Sequence, residues 1–337
     1  MRRSALILIV IFLSILLAIW ITFQTWVFVM VIIRSIQYAR ALKESVLNKL
    51  HCGSKYCPIP IADLDIPVIK NLKTYDKNVG RYCADLIARI YKVDSHNGKL
   101  IHNPIIEDPR GLSRLSTLTD GNTTTFGVVW QNNKTVWIAY RGTLNFEELM
   151  FDLEYGQNRI TKDSIIHNTG GPLKGLFDMK NHRVGIHQGF IDAYKDVKHT
   201  LLKVLNKAKP DNVVICGHSL GAGVAVVTAL DLIATGYKPV VYTFGSPRVG
   251  DIELCNLIPS QFAVFRHVNI ADIIPTIPPA SAPNFADPDK PYMYSHCGMP
   301  LYFESNWQSL DNNHTISHYI QAFETDSYQQ LKNKSYI

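Results

Sequence analysis

Gly217-His218-Ser219-Leu220-Gly221 places a serine between glycines two residues to either side. That spacing suits a turn so tight that only small residues fit around it, with the serine oxygen raised as a nucleophile. A bare match of this kind is weak, but its surroundings sharpen it. The β-branched run Val213-Val214-Ile215 precedes it and an apolar helical run from Val224 to Ala234 follows. Strand, turn and helix in that order make Ser219 the expected nucleophile of acyl transfer.

A serine hydroxyl at neutral pH needs a histidine base, a carboxylate to orient that base, and donors for the oxyanion. On sheets with this strand–turn–helix device the acid and then the base follow the serine in sequence. Asp272 is the expected acid. It lies just beyond the run Phe262 to Val268, and apolar Ile273 and Ile274 follow it. A charged group in such surroundings needs a partner. Asp251, Asp287 and Asp289 sit in more polar, turn-like stretches and rank lower. For the base, His314 after Asp311-Asn312-Asn313 is favoured over His318 and His296. The expected oxyanion donors are the backbone amides of Leu220 and Thr143, the latter after the strand-like run that ends in Tyr140-Arg141-Gly142. His314 and His318 are spaced i, i+4, but no H-E-x-x-H and no third ligand accompany them, so neither a metal nor any cofactor is expected.

Positioning these groups calls for a sheet. Strand-like runs fall at 125–131, 135–140, 213–216, 239–244 and 262–268. Helical runs fall at 79–91, 191–209 and 220–235. Alternation of this kind implies an α/β domain with a mostly parallel central sheet flanked by helices. The polar, glycine-containing stretch 159–185 reads as a surface insertion.

With those residues in view, the chain resembles the class 3 lipases. That α/β-hydrolase family includes fungal triacylglycerol lipases, plant acylhydrolases and diacylglycerol lipases. The resemblance covers about residues 75–325. It rests on Tyr140-Arg141-Gly142-Thr143, His187-Gln188-Gly189-Phe190, Gly217 to Gly221, Thr243-Phe244-Gly245-Ser246-Pro247-Arg248-Val249-Gly250 and Asn269 to Pro275. It implies an α/β-hydrolase fold with Ser219 as nucleophile, Asp272 as acid, and Thr143 with Leu220 as oxyanion donors. A histidine opening a His-x-x-x-x-Tyr-[Leu/Ile] segment fits His314 with Tyr319 and Ile320. Relatives with tyrosine three residues after the base fit neither histidine. The family also implies a lid after the Arg-Gly-Thr stretch. Here Phe146, Leu149, Met150 and Leu153 share one helical face, as a lid or an ordinary packed helix would.

The remaining sequence bounds the setting. The chain has 337 residues, is 47% hydrophobic, and carries a net charge of +6. Its basic residues are scattered, so no nucleic-acid partner is expected. Ala5 to Ile33 carries no charge and is bracketed by Arg2, Arg3 and Arg34. That run exceeds the roughly 20 residues of a membrane span and is longer than a signal-peptide core. The expected organisation is therefore an N-terminal transmembrane anchor at 1–34, a juxtamembrane helix and connector at 35–74, and a hydrolase domain at 75–337. Such a chain is single-pass and membrane-bound, and its flanking charges are too balanced to set its orientation. Cys216 reads as a buried free thiol. Cys52 and Cys57 either close a small disulfide loop or stay apart.

The expected activity is hydrolysis of carboxylic esters of acylglycerols or related lipids, with a lipid ester as substrate. Alternatives are phospholipid or a small soluble ester on the same fold, and a catalytically silent membrane-anchored interaction module.

Overall fold

Along one strand, Val213 and Ile215 face one apolar layer while Val214 and Cys216 face another, and all four are fully buried. Only a strand covered on both faces reads as such a continuous apolar run. A computed structural model describes residues 63–91, 105–120, 124–143, 157–160, 184–284, 287, 289–305, 310–325 and 327–328. In chain order the elements are α1 (Lys77–Ile90), β1 (Ser113–Thr119), β2 (Thr125–Asn132), β3 (Thr135–Tyr140), β4 (Gln157–Ile160) and β5 (Val184–His187). Next come α2 (Gln188–Ala208), β6 (Asn212–His218), α3 (Leu220–Ala234), β7 (Pro239–Phe244), α4 (Ile252–Gln261) and β8 (Ala263–Asn269). The last are β9 (Ser281–Ala282), β10 (Tyr292–Met293), β11 (Met299–Phe303), α5 (Leu310–His314) and α6 (Ile316–Glu324).

Seven strands form one sheet in the order β1-β2-β3-β6-β7-β8-β11. β1, β2 and β3 pair antiparallel, and β3 through β11 pair parallel. This is the mostly parallel α/β architecture the alternating pattern predicts. One face carries the layer that includes Phe190, Leu201, Leu205 and Val224 from α2 and α3. The other carries Tyr82, Leu86 and Ile87 of α1 with Tyr319 and Phe323 of α6. Asp76 caps α1 by accepting from the amides of Asn78 and Val79. α3 is apolar on nearly every side because it is buried on nearly every side.

β1, α4 and β11 are elements beyond those the sequence patterns mark. β1 is a polar edge strand, β11 begins Met299-Pro300, and α4 holds Pro259 near its end. Each weakens the local signal that periodicity supplies. A disulfide joins Cys255 of α4 to Cys297, while Cys83 and Cys216 are buried free thiols. Leu64, Ile66, Ile69 and Leu72 of the expected connector pack against the core. Among the described residues no helix is long and apolar enough to cross a membrane. The expected anchor at 1–34, the juxtamembrane helix, Cys52 with Cys57, and the lid segment 144–156 lie outside the described residues. So does most of the expected insertion, whose two ends run into β4 and β5, an antiparallel pair.

Candidate active site

Ser219, Asp272 and Thr143 follow β6, β8 and β3 at the carboxyl edge of the parallel sheet, where ligands of open α/β sheets bind. Ser219 links β6 to α3 with φ 59° and ψ −128°, a left-handed backbone that L-residues adopt at a cost. The close packing of the turn explains its glycines. A Cβ on Gly217 would strike the backbone of Gly221, and one on Gly221 would strike the carbonyls of Tyr140 and Arg141. The Ser219 amide donates to Phe244 O at 3.0 Å, which fastens the turn to the end of β7. Its Oγ is buried and makes no hydrogen bond among the described residues.

Asp272 and His314 form a pair. Nδ1 of His314 lies 2.7 Å from Oδ2 of Asp272, and both side chains are almost fully buried. The contact with a carboxylate assigns the ring proton to Nδ1 and leaves Nε2 as the basic nitrogen. Asp272 is held in turn: the Ile274 amide donates to its Oδ1 at 2.9 Å, and the Tyr319 hydroxyl donates to its Oδ2 at 2.6 Å. Burial and the adjacent carboxylate push the Tyr319 pKa well up, so it stays a donor. Gly245, at φ +57°, lies directly against this pair. A Cβ there would approach Asp272 Oδ2 to 2.8 Å and His314 Cε1 to 2.9 Å. Gly245 directly follows Phe244, to which Ser219 is bonded, so the elbow and the Asp272–His314 pair share one corner of the sheet.

His314 ends the short α5. Asn269 fixes that segment from β8, donating to Asn313 O at 3.0 Å and to Ser305 O at 2.9 Å. His318 lies within α6, its Nδ1 3.5 Å from Thr315 Oγ1, and burial lowers its pKa. His296 places its Nε2 2.7 Å from Pro275 O. Asp251 caps α4 by accepting from the Leu254 amide.

The expected oxyanion donors flank the serine. Leu220 opens α3, where the first backbone amides have no partner within the helix. Gly142, just before Thr143, packs so closely that an added Cβ would lie 2.5 Å from Ser219 Cβ. The buried Arg141 steadies this loop through Thr125 O at 2.6 Å and Gly142 O at 2.5 Å. A helix N-terminus and a neighbouring loop amide beside a serine can stabilise an oxyanion. Among the described residues no group of three or more metal-ligating side chains is present.

Sequence patterns left four supporting residues unassigned: Tyr91, Asn269, Asn313 and the side chain of His218. Only for Tyr319 was there a signal, its spacing of five from His314.

Residues 137–282 match the family described as Lipase (class 3). Phospholipase A1-IIgamma of Arabidopsis thaliana is 29% identical over 183 residues, 45% of this chain and 41% of that protein. A lipase of Rhizomucor miehei is 30% identical over 191 residues, 54% of this chain and 47% of that protein. The chain thus spans less than half the length of these curated relatives. A solved structure of the Rhizomucor miehei triacylglyceride lipase aligns with a TM-score of 0.48 at 24% identity, covering 66% of this chain and 78% of the other.

Proposed function

We propose, for a chain whose residues 137–282 match the class 3 lipase family, that it is a serine hydrolase of lipid carboxylic esters, acting through an acyl-enzyme without a cofactor. The observation that carries this reading is the Asp272–His314 pair at 2.7 Å beside the strained Ser219 elbow. His314 Nε2 takes the Ser219 proton as Oγ bonds to the ester carbonyl carbon. The carbonyl oxygen becomes an oxyanion facing the amides of Leu220 and Thr143. Asp272 stabilises the imidazolium that forms, and Tyr319 holds Asp272 in place. His314 then gives the proton to the departing alcohol as the carbon–oxygen bond breaks. Water, deprotonated by the same nitrogen, attacks the acyl-enzyme and releases the fatty acid and free Ser219.

Acylglycerols are the proposed substrates. Similarity to a phospholipase A1 keeps phospholipid as the second reading. Hydrolysis of tri-, di- and monoacylglycerol, phosphatidylcholine and a short-chain ester by the purified chain and by Ser219→Ala tests both. Ser219-dependent release of fatty acid from acylglycerols supports the first reading; release from phosphatidylcholine alone selects the second. No Ser219-dependent hydrolysis of any ester would favour the silent interaction module.

The uncharged run Ala5–Ile33 supports a further element of the proposal, a single-pass membrane anchor. Retention in the membrane fraction after carbonate extraction is expected. Release by carbonate would refute the anchor and leave the chemistry untouched.

A further inference from the structure

Three loops must hold still for the proposed chemistry: the oxyanion loop at 141–143, the elbow at 218–219 and the base segment at 313–315. One line of hydrogen bonds crosses all three. The Gly142 amide donates to the Tyr91 hydroxyl oxygen. That hydroxyl lies 2.9 Å from Nδ1 of His218. Nε2 of His218 lies 2.6 Å from the carbonyl oxygen of His314.

The direction of every proton in the line follows from its ends. A carbonyl only accepts, so His218 Nε2 carries a hydrogen and donates to His314 O. In a neutral imidazole Nδ1 then accepts, and the Tyr91 hydroxyl is its donor. The Tyr91 oxygen keeps its lone pairs for the Gly142 amide. Burial and the neighbouring His314 ring both hold the His218 pKa well below its usual value, so this uncharged form persists. The groups that face the His218 ring are Tyr91, His314 and Tyr319, with ring centroids at 5.6, 4.5 and 5.9 Å.

We propose that Tyr91 and His218 are positioning residues: together they couple the oxyanion loop to the base segment through a neutral Nε2–H imidazole. Their role rests on the serine-hydrolase reading above. Tyr91 ends α1 at the edge of the site, and its oxygen fixes the amide one residue before Thr143. His218 fixes the backbone of the base itself. Keeping His218 uncharged also keeps a second cation away from the imidazolium that forms 4.5 Å away at His314. Asp272 then faces that imidazolium at 2.7 Å.

The test uses the 337-residue chain in detergent micelles with two independent readouts. Imidazole nitrogen NMR on 15N-histidine protein needs no substrate. His218 is expected to show a protonated Nε2 and an unprotonated Nδ1 from pH 5 to 8; an Nδ1–H form, or titration in that range, overturns the proposal. The second readout is a double-mutant cycle on a soluble short-chain ester. Tyr91→Phe removes one oxygen, and His218→Leu removes the ring nitrogens. Each is expected to lower kcat by about 10-fold or more with KM changed less than about 2-fold, and the double variant by no more than the worse single one. His218→Gln, which keeps an amide acceptor and donor, is expected to recover part of the loss and replaces His218→Leu in the cycle should that variant fail to fold. Unchanged kcat in Tyr91→Phe, or losses that multiply in the double variant, would overturn the coupling. Wild-type protein without Ser219-dependent hydrolysis would instead defeat the serine-hydrolase reading, and the NMR result would still decide the state of His218.

Discussion

Tyr319 and His314 meet on one oxygen atom: the tyrosine hydroxyl lies 2.6 Å and the imidazole Nδ1 2.7 Å from Oδ2 of Asp272. Two donors converging on one buried carboxylate oxygen fix the direction from which the histidine is held. A hydrogen bond to a charged acceptor contributes about 1.5–3 kcal/mol. Tyr319→Phe should therefore lower kcat by about 10- to 100-fold while leaving KM nearly unchanged. Steady-state kinetics on a short-chain ester measure this, and an unaltered kcat would show that Asp272 needs no such support.

His314 and His318 should separate sharply. His314→Ala removes the base and should lower turnover by about 10⁴-fold or more, with little further loss in the double variant with Ser219→Ala. His318→Ala should act mainly on stability, since His318 packs within α6 with its Nδ1 3.5 Å from Thr315 Oγ1. A folded but inactive His318→Ala beside a fully active His314→Ala would transfer the role of base.

Gly245 is required by contact as well as by conformation. An added methyl would lie 2.8 Å from Asp272 Oδ2 and 2.9 Å from His314 Cε1, at a φ of +57°. Gly245→Ala should displace the pair and lower kcat by about 100-fold, the scale of a misplacement near 1 Å. Thermal unfolding measured alongside should show only a modest fall.

Much of this site was legible in the sequence, and the reasons are local. Ser219 announced itself through its two glycines and the β-branched strand before them, because the steric demand of the elbow falls on adjacent residues. Asp272 was legible as a charge just past an apolar strand. The role of Tyr91 was not, and Tyr319 was marked only by its spacing from His314. Tyr91 meets His218 across 127 positions of sequence and Tyr319 meets Asp272 across 47, so only the fold brings them together. β11 and α4 were hidden by their prolines, and the Cys255–Cys297 bond by a separation of 42.

That disulfide makes a prediction of its own. Closing a loop of 42 residues restricts the unfolded chain by about 4 kcal/mol in the chain-entropy description. Cys255→Ser with Cys297→Ser should lower Tm by several degrees while sparing kcat, because neither cysteine belongs to the proposed catalytic set. Calorimetry of both proteins checks it, and identical Tm values would contradict it.

Stability should also depend on pH through buried histidines. Burial lowers the pKa of His267 to about 3, against an unfolded value near 6.5. Between those values the unfolded chain binds the proton and the folded chain does not. Stability is thus fully present above pH 6.5 and is lost as pH falls toward 3, by about 1.4 kcal/mol per pH unit for this group. His267→Gln should flatten the dependence of unfolding free energy on pH by about one proton, and an unchanged slope would show that His267 is not its source.

Covalent trapping of the nucleophile tests the central claim most directly. An active-site-directed fluorophosphonate should add one adduct to the folded chain, mapped by peptide mass spectrometry to Ser219, and Ser219→Ala should remain unlabelled and inactive. Labelling at any other residue, with ester hydrolysis retained in Ser219→Ala, would contradict the account.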